Sequence, residues 1–480
     1  MTMELQWRSC VPHTRKRDTR CQIHKCRIVF VLIAILCVWL VLVYMNMLDN
    51  NWKVKYSNVS TMKYFRPLSR SGNVSRSMAT QGPKWTLFHL EKFQKWIKYF
   101  TTGAVPAAPN KTVDLLKRIL QHNGQRPLLN VDRFPGTRPI YSVIIVVQVH
   151  SRVQHLGLLI ESLRQVRGIQ EALLVFSHDL VMEEMDHLVR QVDFCRAMQI
   201  YFPFSRQIFP EEFPGHDPED CERDSSRSTA LRLQCNNAAY ADRYGHYREA
   251  KYTQTKHHWW WKLIFVYRYV LGSDWSHSIV SNTTPVLLLE EDHYLFPDAL
   301  HVLHAMASLN KSQRLNCDIL CLGTYDLVQD FAGRSAETET ASWHATQHNM
   351  AMVLTPVVLS RMLSCADAFC SHDDYNWDWS LQVISESCLK GHFKVMMARA
   401  PRAHHTGSCG MHHRGGACSP EPQRARLTNL LKSVSHSLFP AEMRVTLQSQ
   451  KIGGKVASII NGGWADVRDV ELCRSYKRHV

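Results

Sequence analysis

From Ile28 to Met45 the chain reads IVFVLIAILCVWLVLVYM, a run of eighteen residues without a charge. As a helix rising ~1.5 Å per residue, such a run spans roughly 27 Å, close to the hydrocarbon thickness of a bilayer. It partitions the chain, because anything that folds as a globule must lie to one side of it. Arg8, Arg15, Lys16, Arg17, Arg20, Lys25 and Arg27 precede it, whereas the first charge beyond it is Asp49. The positive-inside bias therefore predicts a cytosolic tail at 1–27, a signal anchor at 28–45 and a lumenal or extracellular remainder. A cleaved signal peptide fits less well, since the run exceeds an ordinary h-region and no small-x-small site follows it.

Fifteen cysteines suit the oxidising side of a membrane. Cys10, Cys21, Cys26 and Cys37 lie before or within the span, and the other eleven all follow Phe194, so at least one is unpaired. Asn58, Asn73, Asn110, Asn282 and Asn310 begin N-x-S/T tripeptides, which become glycosylation acceptors only in a lumenal segment. Hydrophobic content of 45% and charged content of 21% argue against wholesale disorder. A net charge of +15 raises nucleic-acid binding, but no basic helix, zinc-finger spacing or aromatic-interleaved Lys/Arg run accompanies it. Anionic small ligands, such as nucleotide diphosphates, remain compatible with the charge.

Residues 46–110 are rich in Ser, Asn, Lys, Arg and Thr without a sustained period, which reads as a stem. Within it, Trp85–Tyr99 has amphipathic helical spacing through Leu87, Leu90, Phe93 and Ile97. One large lumenal domain is expected over 111–480. Tyr141–Val149 is apolar on both faces, as a buried parallel strand is; Leu156–Val166 has helical spacing, and Leu173–Phe176 is a second strand. This βαβ unit places Gln148 to Arg152 and Ser177 to Asp179 at strand carboxyl ends, where open α/β sheets bind ligands. There is no G-x-G-x-x-G, G-x-S-x-G or H-E-x-x-H. A long polar insertion with three Phe-Pro pairs follows, and Cys221 and Cys235 are placed to clip it.

Four stretches concentrate chemistry. In VLLLEEDHYLFPD, an apolar strand runs into Glu290, Glu291, Asp292 and His293. Like charges so close need compensation, and a hard divalent cation with oxygen ligands would supply it; a charged loop cap in solvent is the alternative. QTKHHWWWK, from Gln254, opens a helix continuing as LIFVYRYVL. Three consecutive tryptophans cannot share one helix face, so at least one should meet a cleft or an adjacent element, with two in the core. Lys256, His257 and His258 offer donors to a phosphate or a sugar hydroxyl. DDYNWDW, from Asp373, interleaves carboxylates with aromatics, which suits sugar recognition and a general base, and equally suits a helix N-terminus. Lastly, His404 and His405 precede CGMHH, and Cys418 closes a short loop in which a braced histidine can ligate a metal.

Together VVQVHSR, VFSHD, FPGHDPEDC, GHYREAKYTQTKHHWWWK, LEEDHYL, LGTY, DDYNWDW, CGMHH and NGGWADVRDVELC resemble the N-acetylglucosaminyltransferase II family of Golgi enzymes, in family order from about Tyr141 to Tyr476. The anchor and stem match only in character. The resemblance implies an α/β GT-A glycosyltransferase fold with a Rossmann-like nucleotide half. It also implies Mn²⁺-dependent, inverting transfer of GlcNAc from UDP-GlcNAc to O2 of the α1,6-arm mannose of an N-glycan core. Carried over by motif, Gln148, Val149, His150, Ser151, Arg152, Asp179, Gln254, Thr255, Lys256, His257 and His258 would contact the nucleotide sugar. Asp292 and His405 would ligate Mn²⁺, Asp378 would be the base, and Asn349, Tyr375, Asn376 and Trp377 would meet the acceptor. The implied partners are the donor, N-glycans on glycoproteins and the Golgi membrane, with no nucleic acid; a homodimer through stem or anchor stays open.

The resemblance further implies the pairs Cys221–Cys235, Cys365–Cys388, Cys370–Cys473 and Cys409–Cys418. Arg314 stands where the family has a cysteine paired with the counterpart of Cys317, which leaves Cys317 free or bonded to Cys321. Asp326-Leu327-Val328-Gln329 lacks the family's nearby arginine, so one substrate contact has no counterpart. The rival readings are a sister β1,2-transferase acting on another mannose and a catalytically dead, lectin-like protein.

Overall fold

The computed structural model describes residues 111–134, 141–272, 283–325, 330–389, 391–407, 418–448 and 461–479. The expected tail, anchor, stem and Trp85–Tyr99 helix lie outside these residues, as do Cys409, the 326–329 stretch and four of the five sequons. Among the described residues, no helix is long and apolar enough to cross a membrane.

Twelve strands are described: β1 Leu128–Leu129, β2 Val143–Val149, β3 Ala172–His178, β4 Arg196–Tyr201, β5 Val286–Glu290, β6 His293–Leu295, β7 Ile319–Cys321, β8 Glu337–Ser342, β9 Met352–Leu354, β10 Lys394–Ala398, β11 Ala403–His405 and β12 Arg444–Gln448. Ten form one mixed sheet in the order β1-β4-β3-β2-β5-β9-β7-β10-β8-β12, while β6 and β11 make a separate ribbon. The quartet β4-β3-β2-β5 is parallel throughout. The expected βαβ unit is present as β2, the helix Val153–Arg164 and β3. That helix buries Leu156, Leu159, Ile160 and Leu163, the one-sided stripe its spacing predicts.

Helices cover both faces of the sheet, which explains why β2 and β3 are apolar on both. Val143, Ile145 and Val147 pack with the helices Val153–Arg164 and Ala299–Ser312. Ile144 and Val146 pack on the other face with the helix Ala250–Phe265, which carries the three tryptophans. All three are interior, at 2% exposure or less. Each faces a different neighbour: Trp259 stacks on Trp377 at 4.3 Å, Trp260 on Phe369 at 4.1 Å, and Trp261 lies edge-on to Phe202 at 5.6 Å. None is left over for an open cleft, because protein packs against all three.

Asp469, on the C-terminal helix Val467–His479, accepts hydrogen bonds from Arg248 at 2.8 Å and His257 at 3.0 Å, docking that helix on the tryptophan helix. Three of the implied disulfides are present: Cys221–Cys235, Cys365–Cys388 and Cys370–Cys473. Cys418 is disulfide-bonded as well. Cys195, Cys317 and Cys321 are free thiols, which rules out a Cys317–Cys321 bond. The loop that the Arg314 departure leaves without a disulfide is closed by Asn310. Its amide donates to the Cys317 carbonyl and accepts from the Cys317 N–H, both at 3.0 Å.

Candidate active site

Chain order runs outward from β2 to β3 to β4, then β5 returns to the other flank of β2, so β2 and β5 bound a topological switch point. Ligands of open α/β sheets bind outside the strand carboxyl ends at such a point. There Gln148 lies in register with Glu290. β9 runs antiparallel to β5 and β7 and pairs its first residue, Met352, with Cys321 at the end of β7. Asn349 and Tyr325 are thereby delivered to the same edge. The β6–β11 ribbon pairs His293 with His405, which brings His405 beside Asp292.

The acidic cluster is compensated largely from within the protein. Arg152 donates from Nε to Glu291 at 2.7 Å and from Nη1 to Asp292 at 2.6 Å. Glu291, 1% exposed, also accepts from the backbone N–H groups of His150 at 2.6 Å and Arg152 at 3.3 Å. Burial would raise the Asp292 pKa, but the His405 hydrogen bond and the Arg152 charge hold it well below the usual carboxylate range. The His405 imidazole answers in the other direction: burial would lower its pKa, and the bond to Asp292 raises it. Burial pushes Glu290 up and the neighbouring Lys262 down, each opposed by the other's charge. Lys262, an unanticipated member of the site, also donates to the Gln148 side chain.

A divalent cation fits this arrangement. Among the described residues no group of three or more His, Cys, Asp or Glu could hold a metal alone. Asp292 Oδ2 and His405 Nε2 lie 3.0 Å apart, however, and the buried Asp292 Oδ1 has no hydrogen-bond partner. A Cβ added at Gly407 would fall 2.3 Å from Asp292 Oδ2 and 3.0 Å from His405 Nε2, so glycine there keeps the approach to the pair open. One carboxylate and one imidazole suit a cation that completes its shell with a diphosphate and water.

The remaining donor-side candidates divide. His150 Nδ1 bonds Asp179 at 2.8 Å, and Asp179 also accepts from Gln254 Nε2 at 2.8 Å. Ser151 is exposed at the strand mouth, Val149 is interior, and Thr255 is partly buried. Lys256, His257 and His258, expected to offer donors to the ligand, are instead buried with their polar atoms taken. Lys256 Nζ donates to the carbonyls of His372 and Asp374, both at 2.9 Å. His257 bonds Asp469 and the Tyr476 hydroxyl, each at 3.0 Å, and His258 Nε2 meets Ser177 Oγ at 2.8 Å. Burial drives the His258 pKa down to about 3 and Lys256 to about 7.

Asp378 sits in the first turn of the helix Trp377–Val383. Its carboxylate accepts from Asn349 Nδ2 at 3.0 Å and from the Trp379 N–H at 2.8 Å, and among the described residues no cation is bonded to it. Burial raises its pKa to about 6 against those two bonds. Asp373 and Asp374 are structural by contrast. Asp373 accepts from the backbone N–H groups of Trp464 and Arg243, and Asp374 from those of Asn376 and Asn461. Tyr375 stacks on Tyr252 at 5.0 Å, Asn376 sits at the helix N-cap position with its amide donating to Asp374 at 3.1 Å, and Trp377 is in the core. Tyr325, half exposed, joins the two ends of the site: partial burial raises its pKa, and so do the charges of Glu290, Asp292 and Asp378. Its ring centroid lies 6.1 Å from that of His405.

A family model described as N-acetylglucosaminyltransferase II (MGAT2) matches residues 116–473. A Rattus norvegicus protein named alpha-1,6-mannosyl-glycoprotein 2-beta-N-acetylglucosaminyltransferase is 45% identical over 379 residues, which is 78% of this chain and 84% of its own. An Arabidopsis thaliana protein of the same name is 30% identical over 350 residues, 72% of this chain and 77% of its own. Among solved structures, S. aureus TarS 1-349 aligns over 53% of this chain and 60% of its own at 10% identity and a TM-score of 0.27, too slight a likeness to assign a fold.

Proposed function

This chain belongs to the N-acetylglucosaminyltransferase II family, and we propose that it transfers GlcNAc from UDP-GlcNAc, with inversion, to O2 of the α1,6-arm mannose of an N-glycan core. The observation that carries the mechanism is Asp378, a half-buried carboxylate with neutral hydrogen-bond partners, within electrostatic reach of the phenol that also feels Asp292. Single displacement with inversion needs a base on the face opposite the leaving group. Asp378 takes the proton of the mannose hydroxyl as that oxygen attacks the anomeric carbon. Its pKa of about 6 leaves it mostly ionised at neutral pH yet still basic enough to accept a proton. Arg152 orients Asp292 and Glu291, and Gln148, His150, Ser151 and Arg152 line the strand mouth that would receive the diphosphate.

Asp292 and His405 would hold Mn²⁺, which when bound acts as a Lewis acid toward the departing diphosphate. The fold read this way is GT-A, with β4-β3-β2-β5 as its nucleotide half. The apolar run at 28–45 supports a type II anchor and a Golgi membrane location, with the catalytic part lumenal.

The test is a transfer assay with UDP-GlcNAc, with and without Mn²⁺, on N-glycan cores bearing or lacking GlcNAc on the α1,3 arm. Transfer only to the bearing glycan, dependent on the metal and giving a β-linked product by NMR, is expected. Equal use of both glycans would favour a sister transferase. Glycan binding without transfer would mean a lectin-like protein.

A further inference from the structure

The helix Ala250–Phe265 touches both ends of the site through opposite faces. Gln254, His258 and Lys262 recur every four residues along one face, and they bond Asp179, Ser177 and Gln148 at the ends of β3 and β2. Two positions along, at ~100° per residue, the far face carries Tyr252, Lys256 and Trp259 at i, i+4 and i+7. Tyr252 stacks on Tyr375 at 5.0 Å, Lys256 Nζ donates to the carbonyls of His372 and Asp374 at 2.9 Å each, and Trp259 stacks on Trp377 at 4.3 Å. Residues 372–377 lead directly into the turn bearing Asp378. Lys256 is the polar member of the three contacts, 0% exposed, with the Trp464 ring 4.2 Å from its Nζ.

We propose that Lys256 is a positioning residue for Asp378: it fixes the 372–376 loop to the tryptophan helix and so sets the base against the strand ends held by that helix's other face. It is not a ligand of the nucleotide sugar. This rests on the reading of Asp378 as the base. Two carbonyls accepting from one buried amino group fix the loop's height along the helix axis, which stacked rings alone leave free to slide. Misplacing a reacting group by about 1 Å can cost on the order of 10²-fold in rate.

The experiment uses the full-length protein and compares Lys256→Met with Gln254→Ala. Lys256→Met is expected to lower kcat by roughly 10²-fold while KM for UDP-GlcNAc stays within about twofold. Lys256→Arg, which keeps the charge and donors, should recover part of that kcat. Gln254→Ala, on the opposite face, should raise the donor KM instead. A raised donor KM with little change in kcat for Lys256→Met would overturn the proposal. Acetylation of the unmutated enzyme, read by mass spectrometry at Lys256 with and without UDP-GlcNAc and Mn²⁺, gives an answer even if the variant does not fold. No modification in either state supports the proposal; modification of the donor-free enzyme overturns it. Near-normal transfer by Asp378→Asn would instead defeat the base reading itself, which separates the two failures.

Discussion

The two ends of the site hold their carboxylates in opposite ways. On the donor side the acids have cations beside them: Arg152 for Glu291, Arg152 and His405 for Asp292, and Lys262 near Glu290. On the acceptor side Asp378 has an amide and a backbone N–H and, among the described residues, no counter-charge bonded to it. Asp292 is therefore held ionised far below neutrality, while Asp378 is pushed up to about 6. Paired charge builds a surface that stays anionic and can hold a cation, and burial without a counter-charge builds a group able to exchange a proton.

The hardest way to break this comparison is to neutralise one acid at each end. Asp378→Asn keeps the shape and removes the base, so kcat should fall by about 10²–10⁴-fold with UDP affinity, measured by calorimetry with Mn²⁺, unchanged. Asp292→Asn should weaken UDP binding and turnover together. If the two variants gave the same pattern, the division of labour between the ends would be wrong.

Next in size is Arg152→Met, which leaves Glu291 and Asp292, at 1% and 3% side-chain exposure, without their shared cation. Removing one partner of a buried ion pair costs about 3–5 kcal/mol, so the denaturant midpoint should drop clearly. An unchanged midpoint would mean that the acids are compensated some other way. Smaller still is Gly407→Ala. Its Cβ must displace the Asp292–His405 pair, and Mn²⁺ affinity should weaken by roughly 10–100-fold with the fold intact by circular dichroism. Unaltered Mn²⁺ binding would place the cation elsewhere.

What could be read in advance follows the range of the interactions involved. The βαβ unit was legible because β-branched apolar runs and a one-sided helical stripe are local patterns. The far half of the sheet was not: β7 and β9 are three residues each, and β8 reads ETETAS, with too little apolar pattern to signal a strand. The acidic cluster signals a need for compensation, but the guanidinium that supplies it comes from Arg152, 139 positions before Glu291. The family resemblance implies that QTKHH contacts the donor, and by residue type Lys256, His257 and His258 could bind a phosphate. Four of the motif's five residues are buried where the helix packs into the protein, and Lys256, His257 and His258 spend their polar atoms on protein partners, which no residue type announces. Lys262 belongs to no motif of its own, although its spacing from Gln254 and His258 places all three on one face. The net charge does not reside near the site. Residues 1–110 hold 17 Lys and Arg against four Asp and Glu, leaving 40 against 38 for the rest, so affinity for an anionic donor must come from local groups such as Arg152.

The smallest expected effect separates two groups that could both shape an acid limb. Asp378 must be ionised to accept a proton, so kcat/KM should rise with pH through about 6 and level off above it. His405, whose pKa is raised by Asp292, must likewise lose its proton to meet a cation, and this too gives a rate rising with pH. Asp292 stays ionised throughout and cannot produce the limb. Asn349 distinguishes them, because its amide donates to Asp378 at 3.0 Å and so favours the ionised carboxylate. Asn349→Ala removes that support and raises the Asp378 pKa further. A hydrogen bond to a charged group is worth about 1.5 kcal/mol at the low end, so the limb should move toward higher pH by up to about one unit. A limb that stays in place while the plateau falls would make Asn349 an acceptor contact and assign the titration to His405.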